Sequence, residues 1–194
     1  MPGDNFMWFA EAAKGGLLTG KAAKPEGETT DKWFKKYKAF ELQDFSFGVK
    51  QEETTGSAAT GAGAGKVEFE EFTVSKAVDL GTVPLYQACT AGAHFPTVMI
   101  AVRKAGGAGL IYVQFMFRQV FVISVGHEGG SGDEAPKESI AFKFGAMGIR
   151  YVQQLADGSQ GTKMEGMWNC TENAPTLNVT GLGAAPPYIL NVTA

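Results

Sequence analysis

Two cysteines and two histidines are the scarcest chemistry-bearing side chains of this 194-residue sequence. Cys89 and His94 lie close enough along the chain to suggest a thiol nucleophile and its base. The segment around Cys89, however, reads as a short helix with the thiol on its buried face, where a free cysteine is inert. His94 reads as a turn residue before Phe95-Pro96 that satisfies backbone groups. A zinc site would need Cys89, His94, His127 and Cys170 to converge without any short-spaced ligand pair, and the spacing argues against it. The loop from Gly56 through Gly61, Gly63 and Gly65 to Lys66 invites a phosphate-cradling reading. That motif needs glycine at 60 and Ser or Thr at 67, where the chain has Thr60 and Val67, and the segment after Lys66 is strand-like rather than a helix N-terminus. Gly129-Gly130-Ser131-Gly132-Asp133 misses the nucleophile elbow by its last residue. The paired acids Glu52-Glu53, Glu70-Glu71 and Asp133-Glu134 read as solvated or bulge residues rather than a catalytic pair. Lys32-Trp33-Phe34-Lys35-Lys36-Tyr37-Lys38 interleaves bases with aromatics, as single-strand binders do. The acidic stretch before it offsets its charge, so it reads as a surface face or a protein contact. No catalytic residue, cofactor site or metal site is expected.

The elements that would carry these residues are mostly strands. Apolar residues alternate at Phe40-Leu42, Phe45-Phe47-Val49, Val67-Phe69, Phe72-Val74, Val98-Ile100-Val102, Val113-Phe115-Phe117, Val120-Val122 and Ile140-Phe142-Phe144, with Phe6–Ala10, Ile149-Tyr151 and Met164–Trp168 completing the set. Parity flips between successive runs, notably across Arg118-Gln119. A strand that keeps one face in the core changes parity only at an inserted residue or a bend, so each flip predicts a β-bulge or bend, and bulges favour a curled sheet. Thr82-Val83-Pro84 through Ala91 to Gly92 has helix punctuation, with threonine as the cap. The expected fold is mainly β, a two-sheet barrel or sandwich carrying one short helix.

Composition sets the outer bounds. The chain holds 26 glycines, 19% charged residues and a net charge of -3; glycine is well above its usual ~7% and charge below the usual ~25%. The glycines gather in the gaps between strands. So small a net charge offers no field to draw nucleic acid, and no apolar run approaches the ~18 residues of a membrane span. The N-terminus reads as lacking a signal peptide, so the sequons at Asn169, Asn178 and Asn191 are expected to be idle and the two cysteines reduced. Low charge together with many apolar strand positions suggests surfaces covered by other copies.

The residues also carry a resemblance. Gly65-Lys66-Val67, Phe72-Thr73-Val74-Ser75-Lys76, Val78-Asp79 and Pro84-Leu85, then Ala88-Cys89, Gly92, His94 and Pro96, then Val102-Arg103-Lys104-Ala105-Gly106-Gly107 resemble the Hcp family, the inner-tube proteins of bacterial type VI secretion. Val122-Ile123-Ser124, Gly129-Gly130-Ser131-Gly132, Glu138-Ser139, Phe142, Phe144, Tyr151, Gln154, Ala156-Asp157-Gly158 and Trp168-Asn169 continue it in order. The resemblance implies a two-sheet β-barrel with one flanking helix, hexameric rings stacked into a hollow tube inside a contractile sheath, a valine-glycine-repeat spike at the tip and effector cargo in the lumen. It implies cytoplasmic assembly followed by secretion without a signal peptide, no membrane insertion, no nucleic acid and no enzyme activity. Gly56, Gly61, Gly63, Gly65 and Lys66 become candidates for ring-to-ring contact. A tail-tube protein of a phage or other contractile particle is the alternative; a binding module or enzyme on a barrel scaffold is a further one. The expected division is a barrel domain over 1–169, with an extended link at 21–38 and a Gly-rich loop at 50–65, and a C-terminal extension over 170–194 that would dock as an arm, on a neighbouring subunit for example.

Overall fold

In the computed structural model, residues 4–14, 18–51, 67–104, 109–131 and 135–189 are described. They form ten strands and one α-helix: β1 Asp4–Phe9, β2 Phe40–Leu42, β3 Asp44–Ser46, β4 Val49–Gln51, β5 Val67–Phe69, β6 Phe72–Ala77, α1 Thr82–Ala91, β7 His94–Arg103, β8 Ile111–Glu128, β9 Lys137–Gln154 and β10 Gln160–Asn169. One sheet runs β2-β1-β7-β8-β9-β6-β3, with β10 also paired to β9, and β4 and β5 form a separate pair. The fold is mainly β with one helix, as expected. It curls around its core as a barrel-like pair of half-sheets without closing.

The curl comes from one row of residues. On β7 the core-facing positions pass from Phe95 to Val98, on β8 from Phe117 to Val120, and on β9 from Phe144 to Met147. Each strand changes parity there, yet the ladders keep their register: Phe95↔Val120 and Thr97↔Arg118 on one side, Arg118↔Ala146 and Val120↔Phe144 on the other. Pro96, Gln119 and Gly145 face one another across this row and are missing from both ladders. Pro96 has no N–H to give a ladder. Gln119 sits at φ 53°. A Cβ on Gly145 would lie 2.6 Å from Gln119 Oε1, so the glycine makes room for the glutamine lying over it. The parity flip across Arg118-Gln119 is thus a crease shared by three strands, not an inserted residue. A true register shift comes later on β8, between Val122 and Ser124.

The crease divides the long strands between two half-sheets. The upper one holds β2, β1, β7, the first part of β8, the second part of β9, and β10; the lower one holds the rest of β8 and β9 with β6 and β3. The core lies between them, where Phe72 meets Phe117 at 4.5 Å and Phe115 at 5.6 Å between ring centroids. Truncating a buried phenylalanine of this kind costs about 3–5 kcal/mol. Leu85 and Ala88 of α1 plug one end. Gly92 closes the helix in the left-handed conformation, as its sequence position suggests. The start differs: Gly81 is the cap residue, and Thr82 lies inside the helix, accepting from the Asp79 N–H at 3.1 Å.

A second apolar layer covers the outer face of the upper half-sheet. Phe6, Trp8, Met99, Met116 and Ala146 pack there against Phe34 of the link and Leu177 and Val179 of the C-terminal segment. The Lys32–Lys38 stretch turns its apolar half inward, with Phe34 stacked on Phe6 at 4.0 Å, and leaves Lys32, Lys35, Lys36 and Lys38 exposed. The expected 21–38 link is therefore a folded cover with two short 3-10 turns.

Candidate functional site

The lower half-sheet is built to be met by something else. Alternation puts Phe72, Val74, Val120, Val122, Ile140 and Phe142 into the core. Its other face carries small residues such as Thr73, Ser75, Ser139 and Ala141 together with Phe121 and the charged Asp44, Glu128, Lys137 and Lys143, and among the described residues no other layer covers it. Both of its edges are open. Among the described residues β3 pairs only with β6, and β8 beyond Phe121 pairs only with β9. Unpaired edges present rows of backbone donors and acceptors that take up another strand.

Two exposed apolar surfaces flank this half-sheet. Leu80, Val83 and Tyr86 are 72%, 62% and 56% exposed around α1, a helix with no charged residue. Ile149, Tyr151, Met164 and Met167 are exposed on β9 and β10. Beside them a cavity of about 480 Å³ is lined by Phe47, Val49, Val67, Phe69, Met147 and Trp168 among others. The Trp168 indole N–H is buried there and finds no acceptor among the described residues. Depletion of charge in exposed apolar patches marks the cores of protein interfaces.

A buried ionic network ties the lower half-sheet to the start of α1. Lys76 and Glu138 are neighbours across β6 and β9 and are almost fully buried, with Nζ 2.5 Å from Oε2. Lys76 also reaches Asp79 at 2.8 Å, and the Thr82 hydroxyl donates to Glu138 Oε2 at 3.0 Å. His127 Nε2 lies 3.4 Å from Glu138 Oε1.

At the opposite end Arg103 clamps the link to the sheet. Its Nη2 lies 2.6 Å from Asp31 and 2.7 Å from Asp4, and the guanidinium stands over the Phe6 and Phe34 rings. Burial opposes the charges on this pair, but the hydrogen bonds between them prevail: Asp31 is held below the usual carboxylate range, with the Trp33 and Phe34 N–H groups helping, and Arg103 is raised. Under the C-terminal segment burial pushes the Tyr188 hydroxyl up to about 12, Glu165 adding to the shift and Arg150 opposing it.

The residues singled out from sequence scatter over this frame. Cys89 is half-buried in α1 against the core. His94 is the first residue of β7 rather than a turn residue; its carbonyl accepts from Lys14 N at 2.8 Å and its ring meets Phe121. Pro96 lies on the crease. Lys104 stands over Tyr112 at 5.4 Å, and Trp168 lines the apolar cavity. Gly130 and Ser131 are exposed after β8. Gly56, Gly61, Gly63, Gly65, Lys66, Gly106, Gly107 and Gly132 lie outside the described residues. Among the described residues no three His, Cys, Asp or Glu side chains gather as metal ligands, and burial pushes the Cys170 thiol up. Among them, too, no helix is long and apolar enough to cross a membrane. Residues 174–189, expected as an arm, are laid along the upper half-sheet of their own chain. Sequence reading missed Gln119, Gly145 and the Lys76–Glu138 pair; lysine and glutamate at adjoining strand positions on the core-facing parity were the available signal for the last.

Known proteins share this frame. The family described as "Type VI secretion system effector, Hcp" matches residues 14–151. The protein hcp1 of Pseudomonas aeruginosa is 31% identical over 110 residues, which cover 56% of this chain and 68% of that protein. A solved type six secretion system protein superposes with TM-score 0.71 at 24% identity, covering 90% of this chain and 99% of its own. Hcp1 from Salmonella typhimurium does so with TM-score 0.69 at 22% identity, covering 91% and 100%.

Proposed function

The chain belongs to the Hcp family of type VI secretion proteins, and from that footing we propose that it is a tube subunit whose copies join edge to edge into hexameric rings that stack. The observation that carries this reading is the lower half-sheet, whose edges at β3 and at β8 beyond Phe121 are unpaired among the described residues. An edge on each side of one half-sheet lets copy after copy add head to tail, and such a heterologous contact closes into a ring where the rotation between copies returns to the start. Its outer face would then form the inner wall, where cargo passes, and the Gly56–Lys66 segment would meet the next ring. Sheath and spike are the partners this role requires, and export by contraction would place the protein outside the cell after assembly in the cytoplasm. The reading assigns the chain no catalytic step.

The test is the state of the protein in solution, with a crosslink at the edges. Ser46→Cys together with Ser124→Cys puts thiols on the two open edges, both at exposed positions. Rings seen by negative-stain microscopy, with disulfide-linked ladders ending at the hexamer, are expected. Monomers alone at high concentration, or rings that never crosslink through these edges, would overturn it.

A further inference from the structure

The outer face of the upper half-sheet carries polar side chains where a covered sheet face should be apolar. Gln114, Arg118, Arg150 and Asn169 are 1%, 0%, 7% and 0% exposed. The ladders place them in rows: Gln114 beside Arg150, Arg118 beside Ala146 and Asn169, and Met116 beside Gly148 between the two. Ala146 and Gly148 make a low floor with polar posts on either side. Burying such groups is costly unless each finds a partner; Thr97 holds one arm of Arg118 and Glu165 lies beside Arg150, and residues 174–189 supply further partners.

The posts read main chain. Gln114 donates to the Ile189 carbonyl at 2.9 Å and accepts from its N–H at 2.9 Å, copying the bond pair of a strand neighbour. Arg118 donates to the Gly183 carbonyl and Asn169 to that of Asn178. The Tyr188 ring lies over the Arg150 guanidinium at 5.7 Å. On the floor, a Cβ at Gly148 would collide with Tyr188 Oη and lie 3.1 Å from a Leu177 methyl. Among the described residues Arg118 Nε and Arg150 Nε of the face keep no hydrogen-bond partner, so the resident segment leaves part of the groove's bonding capacity unused.

We propose that this face is a binding groove for an extended peptide, that residues 174–189 are its resident ligand, and that it accepts the same segment from a second copy. Backbone recognition with few side-chain anchors is how sheets take up extended peptides. Exchange between copies forms the same contacts it breaks, and the high local concentration of segments in an assembly favours it. That last clause rests on the ring reading; the groove does not.

The experiment uses the full chain with a protease recognition sequence inserted after the exposed Pro175. After cleavage the 176–194 piece is expected to remain with the body on gel filtration. A fluorescent synthetic peptide of residues 176–189 is expected to displace it saturably. Gln114→Ala removes both bonds to Ile189 and should weaken capture about tenfold or more. Gly148→Ala should weaken it by lifting Tyr188 and Leu177. Loss of the piece on cleavage with no binding of the labelled peptide, or capture unchanged in both variants, would overturn the groove. Transfer of labelled segments between copies in mixed rings is expected. Segments that stay with their own bodies while free peptide exchanges would overturn the second-copy clause. A chain found only as monomers would refute the ring reading and leave peptide capture standing.

Discussion

Replacing Lys76 tests whether the lower half-sheet is anchored by charge. Its ammonium is sequestered from water and lies 2.5 Å from Glu138, 2.8 Å from Asp79 and 3.1 Å from the Ala77 carbonyl. Lys76→Met keeps the volume and removes the cation. Asp79 can turn to water, because its side chain is 16% exposed; Glu138, at 0%, cannot. An uncompensated buried charge costs about 3–5 kcal/mol. For a chain of this size that is a fall of roughly 6–20 °C in Tm, at about 2–4 °C per kcal/mol. The double variant Lys76→Met with Glu138→Leu removes both charges and should return to within about 1 kcal/mol of wild type, because desolvating the pair offsets most of its attraction. The assay is urea unfolding followed by tryptophan fluorescence at one protein concentration and one oligomeric state, since assembly adds its own stability. A single variant costing under about 1 kcal/mol, or a double variant as unstable as the two singles summed, would show that the pair is not coupled.

Three other positions give measurable outcomes from the same geometry. Asp31 has a lowered pKa, so it contributes stability above its unfolded value of about 4 and loses it as pH falls through the lower folded value; Asp31→Asn should lose about 1–2 kcal/mol at pH 7 and show a shallower acid limb in urea midpoints taken from pH 7 down to pH 2. Gly145→Ala drives a Cβ to 3.2 Å from Gln119 Cβ and should cost about 1–3 kcal/mol, and adding Gln119→Gly should recover most of it by removing both the obstruction and a non-glycine residue at positive φ; thermal unfolding of the two variants decides. The Cys170 thiol, raised by burial, should react with iodoacetamide at pH 7.5 at least about tenfold slower in the folded protein than in urea, and equal rates would mean that the turn after β10 is open.

The strands, the helix and its glycine stop were legible because alternation and end signals are local. The family was legible because short motifs recur in order from Gly65 to Asn169. The parity flips were visible too, but their cause was not. A bulge and a shared crease leave the same pattern in one strand, and only the neighbours' flips at Pro96 and Gly145 separate them. Thr82 looked like a cap because its hydroxyl is the right group in nearly the right place; Asp79 and Glu138 claim that hydroxyl instead. The destination of the C-terminal segment was hidden for a similar reason. Its partners Gln114, Arg118 and Asn169 lie 9 to 75 residues away in sequence, and polar residues inside an apolar strand read as interruptions until their row across the sheet is known.

The crease also explains why one chain can cover one surface and expose another. Had Gln119 been an inserted residue, β8 alone would have changed phase and its ladders to β7 and β9 would have slipped. Because three strands turn over in the same row, continuous strands supply two half-sheets whose core faces oppose and whose outer faces can differ in chemistry. The upper outer face is apolar with polar posts, and the link and the C-terminal segment cover it. The lower outer face mixes small residues with exposed charges and, among the described residues, is uncovered with its edges open. The exposed lysines of the link stand on the cover and not on the lower outer face. Apart from the buried Lys76–Glu138 pair, the charged side chains of the lower half-sheet strands, Asp44, Glu128, Lys137 and Lys143, all fall on its outer face and are exposed there, where they cost little desolvation.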